Sequence, residues 1–84
     1  MRVTFKLFAH LQDYLPPEAK KTNALALEID EASTVAQIVT RFGLPEKLVH
    51  LVLIDGVFVP PSERAGRVLR DGETLAIWPP VAGG

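Results

Sequence analysis

The fold is decided by residues 24–42, which read ALALEIDEASTVAQIVTRF. In the first seven residues the large apolar side chains occupy every second position, which predicts a β-strand over residues 24–30 with one buried face. The period then changes, because the next apolar residues recur at i, i+3, i+4 and i+7, as on one face of a helix. These residues are Val35, Ile38, Val39 and Phe42.

Local signals mark the two ends of this helix. Ser33 or Thr34 can cap its first turn, and Gly43 and Pro45 favour its end. The predicted helix has only about two to three turns, so packing against a sheet must stabilise it.

The other segments add strands on both sides of this unit. The predicted strands are residues 2–9, 24–30, 50–54, 57–59 and 74–78, with tight turns at Asp55-Gly56 and Asp71-Gly72. Residues 10–15 are compatible with one helical turn, whereas residues 16–23 and 62–70 are predicted to be loop and irregular chain. The first two strands are most simply a hairpin.

This order of elements, ββαβββ or ββαββ with irregular pieces, predicts an α+β fold. We expect a mixed four- to five-stranded sheet with one main helix packed on one face, and the ubiquitin-like β-grasp roll matches this order and length. The predicted domain covers residues 1–80, and residues 81–84 form a flexible C-terminal Gly-Gly tail.

Composition narrows the possible functions. The chain has 84 residues, a formal net charge of −1 and no cysteine. This charge gives no basic surface of the kind that binds nucleic acid. Without cysteine, no thiolate can act as a nucleophile or metal ligand. The longest strongly apolar run, residues 51–54, is too short to span a membrane. The sequence enters a strand pattern at once, without a signal peptide, so we expect a cytoplasmic protein.

Strand parity predicts which side chains lie on the sheet face that the helix leaves uncovered. In the first strand Val3, Phe5 and Leu7 point inward, so Phe8 points outward with Arg2, Thr4 and Lys6. Parity likewise places Val57, Val59, Leu75 and Ile77 inward and Phe58, Ala76 and Trp78 outward. Phe8, Phe58 and Trp78 therefore form a predicted partner-binding patch. The alternative is that one or two of these rings fold under the proline-rich loops.

Side chains suited to catalysis are scarce. His10 and His50 are far apart in the sequence with no metal-ligand spacing, and Ser62 lacks a nucleophile context. Three arginines recur in the irregular segment and could steer an acidic or nucleotide-bearing partner, although a solvated loop is the simpler interpretation: Arg64, Arg67 and Arg70. We expect no catalytic side chain, no metal and no bound cofactor.

The chain ends in Pro79-Pro80-Val81-Ala82-Gly83-Gly84. The two prolines favour an extended path from the last strand, and Gly83 has no Cβ to obstruct passage through a narrow channel. The carboxylate of Gly84 is a poor electrophile and must be activated before it can carry another group. Because the chain has no nucleotide site of its own, a separate activating enzyme would use ATP. The sequence thus predicts a carrier.

The last fourteen residues resemble the C-terminal signature of the small subunit of molybdopterin synthase, MoaD, within the MoaD/ThiS sulfur carriers. That signature is an Asp-Gly pair, an alternating strand, an aromatic residue and Pro-Pro-Val-x-Gly-Gly, here Asp71 to Gly84. The segment Phe8-Ala9-His10-Leu11 also resembles the end of that family's first strand. The loops at 16–21 and 60–70 depart from the family pattern.

The resemblance implies a mechanism. An E1-like enzyme adenylates Gly84, and a sulfur donor such as a cysteine desulfurase or rhodanese-like protein converts it to a thiocarboxylate. The tail then enters the large synthase subunit and gives sulfur to the precursor of molybdopterin, for a molybdenum or tungsten cofactor. Phe8, Phe58 and Trp78 match the family's docking surface, and residues 79–82 lead the tail into the partner.

Three other functions stay open at this point. The chain could carry sulfur for thiamine synthesis or tRNA thiolation, or it could be a ubiquitin-like modifier joined to lysines through Gly84. It could also be a binding module that uses the aromatic face alone.

Overall fold

A computed structural model of the chain describes residues 1–80, and the predicted tail at residues 81–84 lies outside the described residues. The strands are β1 (Arg2–Leu7), β2 (Ala24–Glu28), β3 (Leu51–Ile54), β4 (Val57–Phe58) and β5 (Thr74–Trp78), and the helix is α1 (Val35–Arg41). Single 3₁₀ segments occupy Ala9–Tyr14, Pro17–Ala19, Glu46–Leu48 and Pro61–Glu63.

The five strands form one mixed sheet in the order β2-β1-β5-β3-β4. β1 and β5 are parallel, whereas β1 with β2, β3 with β5 and β3 with β4 are antiparallel. The two central strands are therefore the first and the last in the sequence. This arrangement confirms the predicted α+β class and the β-grasp architecture.

The core lies between the sheet and α1. The inward residues of β1 are Val3, Phe5 and Leu7, and all three are buried, as strand parity predicts. The Phe5 ring lies 4.7 Å from that of Phe42, which follows α1, at an angle of 41°. The helix and the sheet thus share one apolar interior.

Thr34 rather than Ser33 caps α1. Its hydroxyl accepts a hydrogen bond from the Gln37 backbone N–H at 3.3 Å, and the Gln37 side chain accepts one from the Thr34 N–H at 2.9 Å. This reciprocal pair is a capping box. Ser33 instead donates its hydroxyl proton to the Asp30 carbonyl. Gly43 follows the helix with φ at +68°, a conformation that glycine tolerates without strain.

Two predictions about the less regular parts need correction. Val57 pairs with the buried Ile54 and so lies on the predicted side of the sheet, but it is 67% exposed because β4 has only two residues and lies at the sheet edge. The segment 62–70 is less irregular than predicted: Val68 forms a bridge with Thr34, and Leu69 is buried. The chain after β4 therefore contributes to the core.

Candidate docking face and tail exit

The side of the sheet away from α1, which we call the outer face, carries five large apolar side chains. They are Phe8, Leu51, Leu53, Phe58 and Trp78. Strand register brings them together, since Leu51 pairs with Trp78 and Leu53 pairs with Phe58. Phe58 is 53% exposed, and the other four are half-buried. An uncovered apolar face of this kind is typical of a protein-binding surface.

Phe8 and Trp78 form an aromatic stack on this face. Their ring centroids are 4.2 Å apart and their planes differ by 2°. The backbone beneath the stack is held by hydrogen bonds from the Phe8 N–H to the Ile77 carbonyl at 3.2 Å and from the His50 N–H to the Trp78 carbonyl at 3.1 Å. The two rings shield one another but lie outside the main core, so they remain available at the surface.

Sequence reasoning missed Leu51 and Leu53. The run Leu51-Val52-Leu53-Ile54 is apolar throughout, which is typical of a strand with apolar residues on both faces. Applying the same parity to this run would have placed Val52 and Ile54 in the core, where they are buried, and both leucines on the outer face.

Ala76 lies between these larger residues. It pairs with Lys6 on one side and with Leu53 on the other, so it belongs to the outer face as predicted. Its small side chain is nevertheless 8% exposed, because its neighbours cover it. Ala76 thus lies beneath the larger side chains of the outer face and has little exposed surface.

The exit of the tail begins on the same face. Trp78 is the last residue of β5, and Pro79 and Pro80 follow it directly. Pro79 is buried and Pro80 is exposed, and contact of these two prolines with a partner stays a prediction. The predicted site residues Val81, Ala82, Gly83 and Gly84 lie outside the described residues.

Two of the three arginines of the 62–70 segment, Arg64 and Arg67, are held by the fold. The Arg64 guanidinium donates hydrogen bonds to the carbonyls of Val49 at 2.9 Å, His50 at 3.0 Å and Val59 at 3.2 Å. Burial lowers the pKa of Arg64 from its ordinary value. This contact fixes the start of β3 to the end of β4.

Arg67 forms an ion pair with Glu73 at 2.8 Å. Burial alone would raise the pKa of Glu73. The Arg67 hydrogen bond and charge, the Arg70 backbone N–H at 2.6 Å and the Arg70 charge outweigh it and hold that pKa below its usual range. Arg64 and Arg67 are therefore structural, and steering of a partner is left to Arg70, which is exposed.

Two kinds of feature are absent from the described residues. Across residues 1–80, no three His, Asp or Glu side chains converge as metal ligands. No helix in this part of the chain is both long and apolar enough to cross a membrane.

Comparison with protein families agrees with this architecture. The family model described as Mut7-C ubiquitin matches residues 1–83. The chain belongs to the Mut7-C ubiquitin family. No curated protein matches the sequence.

Solved structures share the fold of this Mut7-C ubiquitin chain. SAMP1 from Haloferax volcanii, which a second structure describes as small archaeal modifier protein 1, is 23% identical, with a TM-score of 0.67 and 100% coverage of both chains. A Pyrococcus furiosus protein assigned as molybdopterin converting factor subunit 1 is 17% identical, with a TM-score of 0.68 and coverage of 96% of this chain and 99% of that one.

A third similar structure is a complex of subunits 1 and 2 of molybdopterin-converting factor from Helicobacter pylori. The matching chain is 17% identical, with a TM-score of 0.60 and 100% coverage of both chains. At these identities the likeness establishes that the Mut7-C ubiquitin chain shares a fold with small modifiers and with converting-factor subunits.

Proposed function

We propose that this chain is a sulfur carrier that donates sulfur, from a thiocarboxylate on Gly84, to a precursor of molybdopterin. The observation that carries the proposal is the position of Trp78. It stacks on Phe8 in the outer face and is also the last residue of β5, so the chain leaves the sheet at the apolar surface. A partner seated on the outer face is therefore next to the origin of the tail.

The reach of the tail suits this role. Four residues beyond Pro80 can extend about 13 Å from the domain. Gly83 adds no side chain that would widen the tail close to its reactive end. The fold would then dock the carrier while the terminal residues enter the active site of the partner.

The chemistry needs no side chain of this domain. An E1-like enzyme would join the Gly84 carboxylate to ATP, forming an acyl-adenylate and releasing pyrophosphate. The persulfide of a sulfur donor such as a cysteine desulfurase or a rhodanese-like protein would displace AMP and form an acyl disulfide, and a thiol would reduce that disulfide to release the thiocarboxylate. The large subunit of molybdopterin synthase would then catalyse transfer of that sulfur to the precursor and return the carboxylate.

Subunit 1 of the Helicobacter pylori factor is described in a complex with its subunit 2, which supports a two-subunit arrangement for this chain as well. The match between the last fourteen residues and the MoaD signature supports the molybdopterin pathway over thiamine synthesis or tRNA thiolation.

Intact-mass measurement of the protein purified from its native host tests the proposal. We expect a fraction of the chain to carry sulfur in place of one oxygen, located on Gly84 by fragmentation. Deleting Gly84, or extending the chain by one alanine, should abolish sulfur transfer while leaving the unfolding free energy unchanged. Full sulfur transfer by the extended chain would contradict the proposal.

A second candidate is a ubiquitin-like modifier joined to lysines through Gly84. The likeness to the Haloferax volcanii modifier over the whole of both chains favours it. The two functions differ in their products, because a modifier leaves isopeptide adducts on other proteins. Host extract probed for a tagged copy of the chain would show those adducts for a modifier, and only the free chain for a sulfur carrier.

A further inference from the structure

Lys6 places one positive charge inside the outer face. It lies on β1, a central strand, where it pairs with Ala24 of β2 and Ala76 of β5. Its neighbours on both adjacent strands are thus small. Since edge strands often carry lysine to prevent aggregation, a lysine on a central strand needs another explanation.

The other charges that parity places on this face are already paired. Arg2 forms an ion pair with Glu28 at 2.7 Å, and Glu28 also lies 4.0 Å from the N-terminal ammonium group. No carboxylate of residues 1–80 lies within ion-pair distance of Lys6. Lys6 is therefore the unpaired cation of the outer face in this part of the chain.

A partner on the apolar residues must also cover Lys6. Leu53 lies two strands away, about 10 Å at the usual strand spacing, and Phe8 follows β1 in extended conformation two residues on, about 7 Å away. A stable interface covers about 800 Å² on each partner. A patch of that area extends further across the face than either of these separations. Burying an unpaired ammonium group is strongly unfavourable, so the partner must supply an anion at this point.

A second copy of this chain does not fit that requirement. A two-fold dimer through the outer face would bring the same surface of both copies together, and the two Lys6 side chains would face the same contact region. Like charges in a closing interface are repulsive. Charge complementarity thus favours a different protein.

We infer that Lys6 is the specificity contact of the outer face, and that it pairs with a carboxylate set in an otherwise apolar surface of the partner. The inference rests on the proposed function for the identity of that partner, the large subunit of molybdopterin synthase. An apolar surface with one carboxylate would accept this carrier and reject carriers that lack a cation at the same position.

Calorimetry measures the affinity of the chain for the large synthase subunit of the same organism and so tests the Lys6 contact. Lys6→Arg should bind within about threefold of the unaltered chain, Lys6→Gln should bind about 10-fold more weakly, and Lys6→Glu about 100-fold or more. Lys47→Glu is the matched control, because it makes the same charge change on an exposed residue of the turn at Glu46–Leu48, outside the sheet. We expect the control to bind within about twofold of the unaltered chain.

Carbodiimide cross-linking locates the partner's carboxylate, because it joins an amine and a carboxylate only when they are in contact. The Lys6 chain should form an amide to one Asp or Glu of the partner, and Lys6→Arg should bind without that cross-link. Exchanging the identified carboxylate for lysine should restore binding of Lys6→Glu, since the charges are then reversed.

The outcomes separate this inference from the proposed function. Equal binding of Lys6→Glu and the unaltered chain would overturn the inference and leave the sulfur carrier standing. Charge-dependent binding without sulfur transfer by the thiocarboxylated chain would overturn the sulfur carrier and leave the contact standing. No binding of the unaltered chain to the large subunit would overturn both.

Discussion

The two faces of the sheet use similar residues for different purposes. Phe5 on the inner face is fully buried and packs against Phe42, whereas Phe58 on the outer face is 53% exposed. Burial of apolar surface stabilises the fold only where the chain itself provides the cover. The inner face therefore holds the domain together, whereas the outer face leaves apolar surface uncovered by the chain itself.

The difference is also one of polarity. Residues 1–80 have no buried polar or charged residue in the interior, whereas Lys6 lies among the outer-face residues. A charge that the fold does not neutralise has little effect on stability while water covers it, but it matters once a partner displaces that water. The outer face can thus discriminate between partners, which a uniformly apolar face cannot do.

Truncating one phenylalanine on each face is the strongest test of this comparison. Phe5→Ala should lower the free energy of unfolding by about 3–5 kcal/mol through lost burial and the cavity that remains, whereas Phe58→Ala should cost less than about 1 kcal/mol. Urea unfolding monitored by circular dichroism measures both. If Phe5→Ala does not fold, Phe5→Leu should still cost more than Phe58→Ala. Equal costs on the two faces would contradict the division of roles.

Arg64 joins the residues before β3 to the residue after β4, and its replacement should give the next largest effect. Arg64→Met keeps much of the side-chain length but leaves three backbone carbonyls without their donor, and we expect a loss of about 1–3 kcal/mol in unfolding free energy. Arg70→Met is the control, because Arg70 is exposed and should change stability by less than about 0.5 kcal/mol.

Arg64→Lys refines this experiment. Lysine keeps the charge but cannot present the planar fork of donors, so it should recover only part of the lost stability. Faster hydrogen exchange in β3 and β4 of Arg64→Met would show that the Arg64 hydrogen bonds also stabilise the strands of the outer face. Identical stability of the Met variants at positions 64 and 70 would contradict this role.

Regular strands made much of this comparison predictable from the sequence. The alternation of β1 places Val3, Phe5 and Leu7 inside and Phe8 outside, and the structure agrees. Parity works here because β1 is a central strand, so both of its edges are paired and its faces are well defined.

The same reasoning failed where the strand signal was weak or the contact was distant. Val57 has the correct parity, but a two-residue edge strand leaves it uncovered. Leu51 and Leu53 were missed because their strand has no polar residue that would indicate which side faces outward. The carbonyl partners of Arg64 lie 5 to 15 residues away in the chain, and only tertiary packing brings them to it.

A double-mutant cycle on Phe8 and Trp78 tests whether these two rings of the outer face stabilise one another. The stack at 4.2 Å should give a coupling free energy of about 0.5–1.5 kcal/mol. Urea unfolding of Phe8→Ala, Trp78→Ala and the double variant measures it. The cycle on Phe8 and Phe58 is the control, since three strand spacings, about 14 Å, separate their strands and the effects should add. Additive effects for Phe8 and Trp78 would mean that the rings do not stabilise one another.

The smallest expected effect concerns Glu73, which precedes the strand that carries residues of both faces. Its pKa is lowered in the folded protein, so its contribution to stability is present above the unfolded pKa of about 4.3 and is lost as the pH falls through the folded value. Glu73→Gln should therefore be less stable than the unaltered chain at pH 7, and the difference should shrink in acid.

Urea unfolding at several pH values between neutrality and about pH 3 measures this difference across the unfolded pKa. Arg67→Gln removes the same ion pair from its other side, so it should weaken the acid dependence in the same way. A difference between Glu73→Gln and the unaltered chain that stays constant with pH would show that the carboxylate is not stabilised in the folded state. Because Glu73 directly precedes β5 and its ion pair with Arg67 lies at the end of β5 away from Trp78, neither variant should alter the coupling between Phe8 and Trp78.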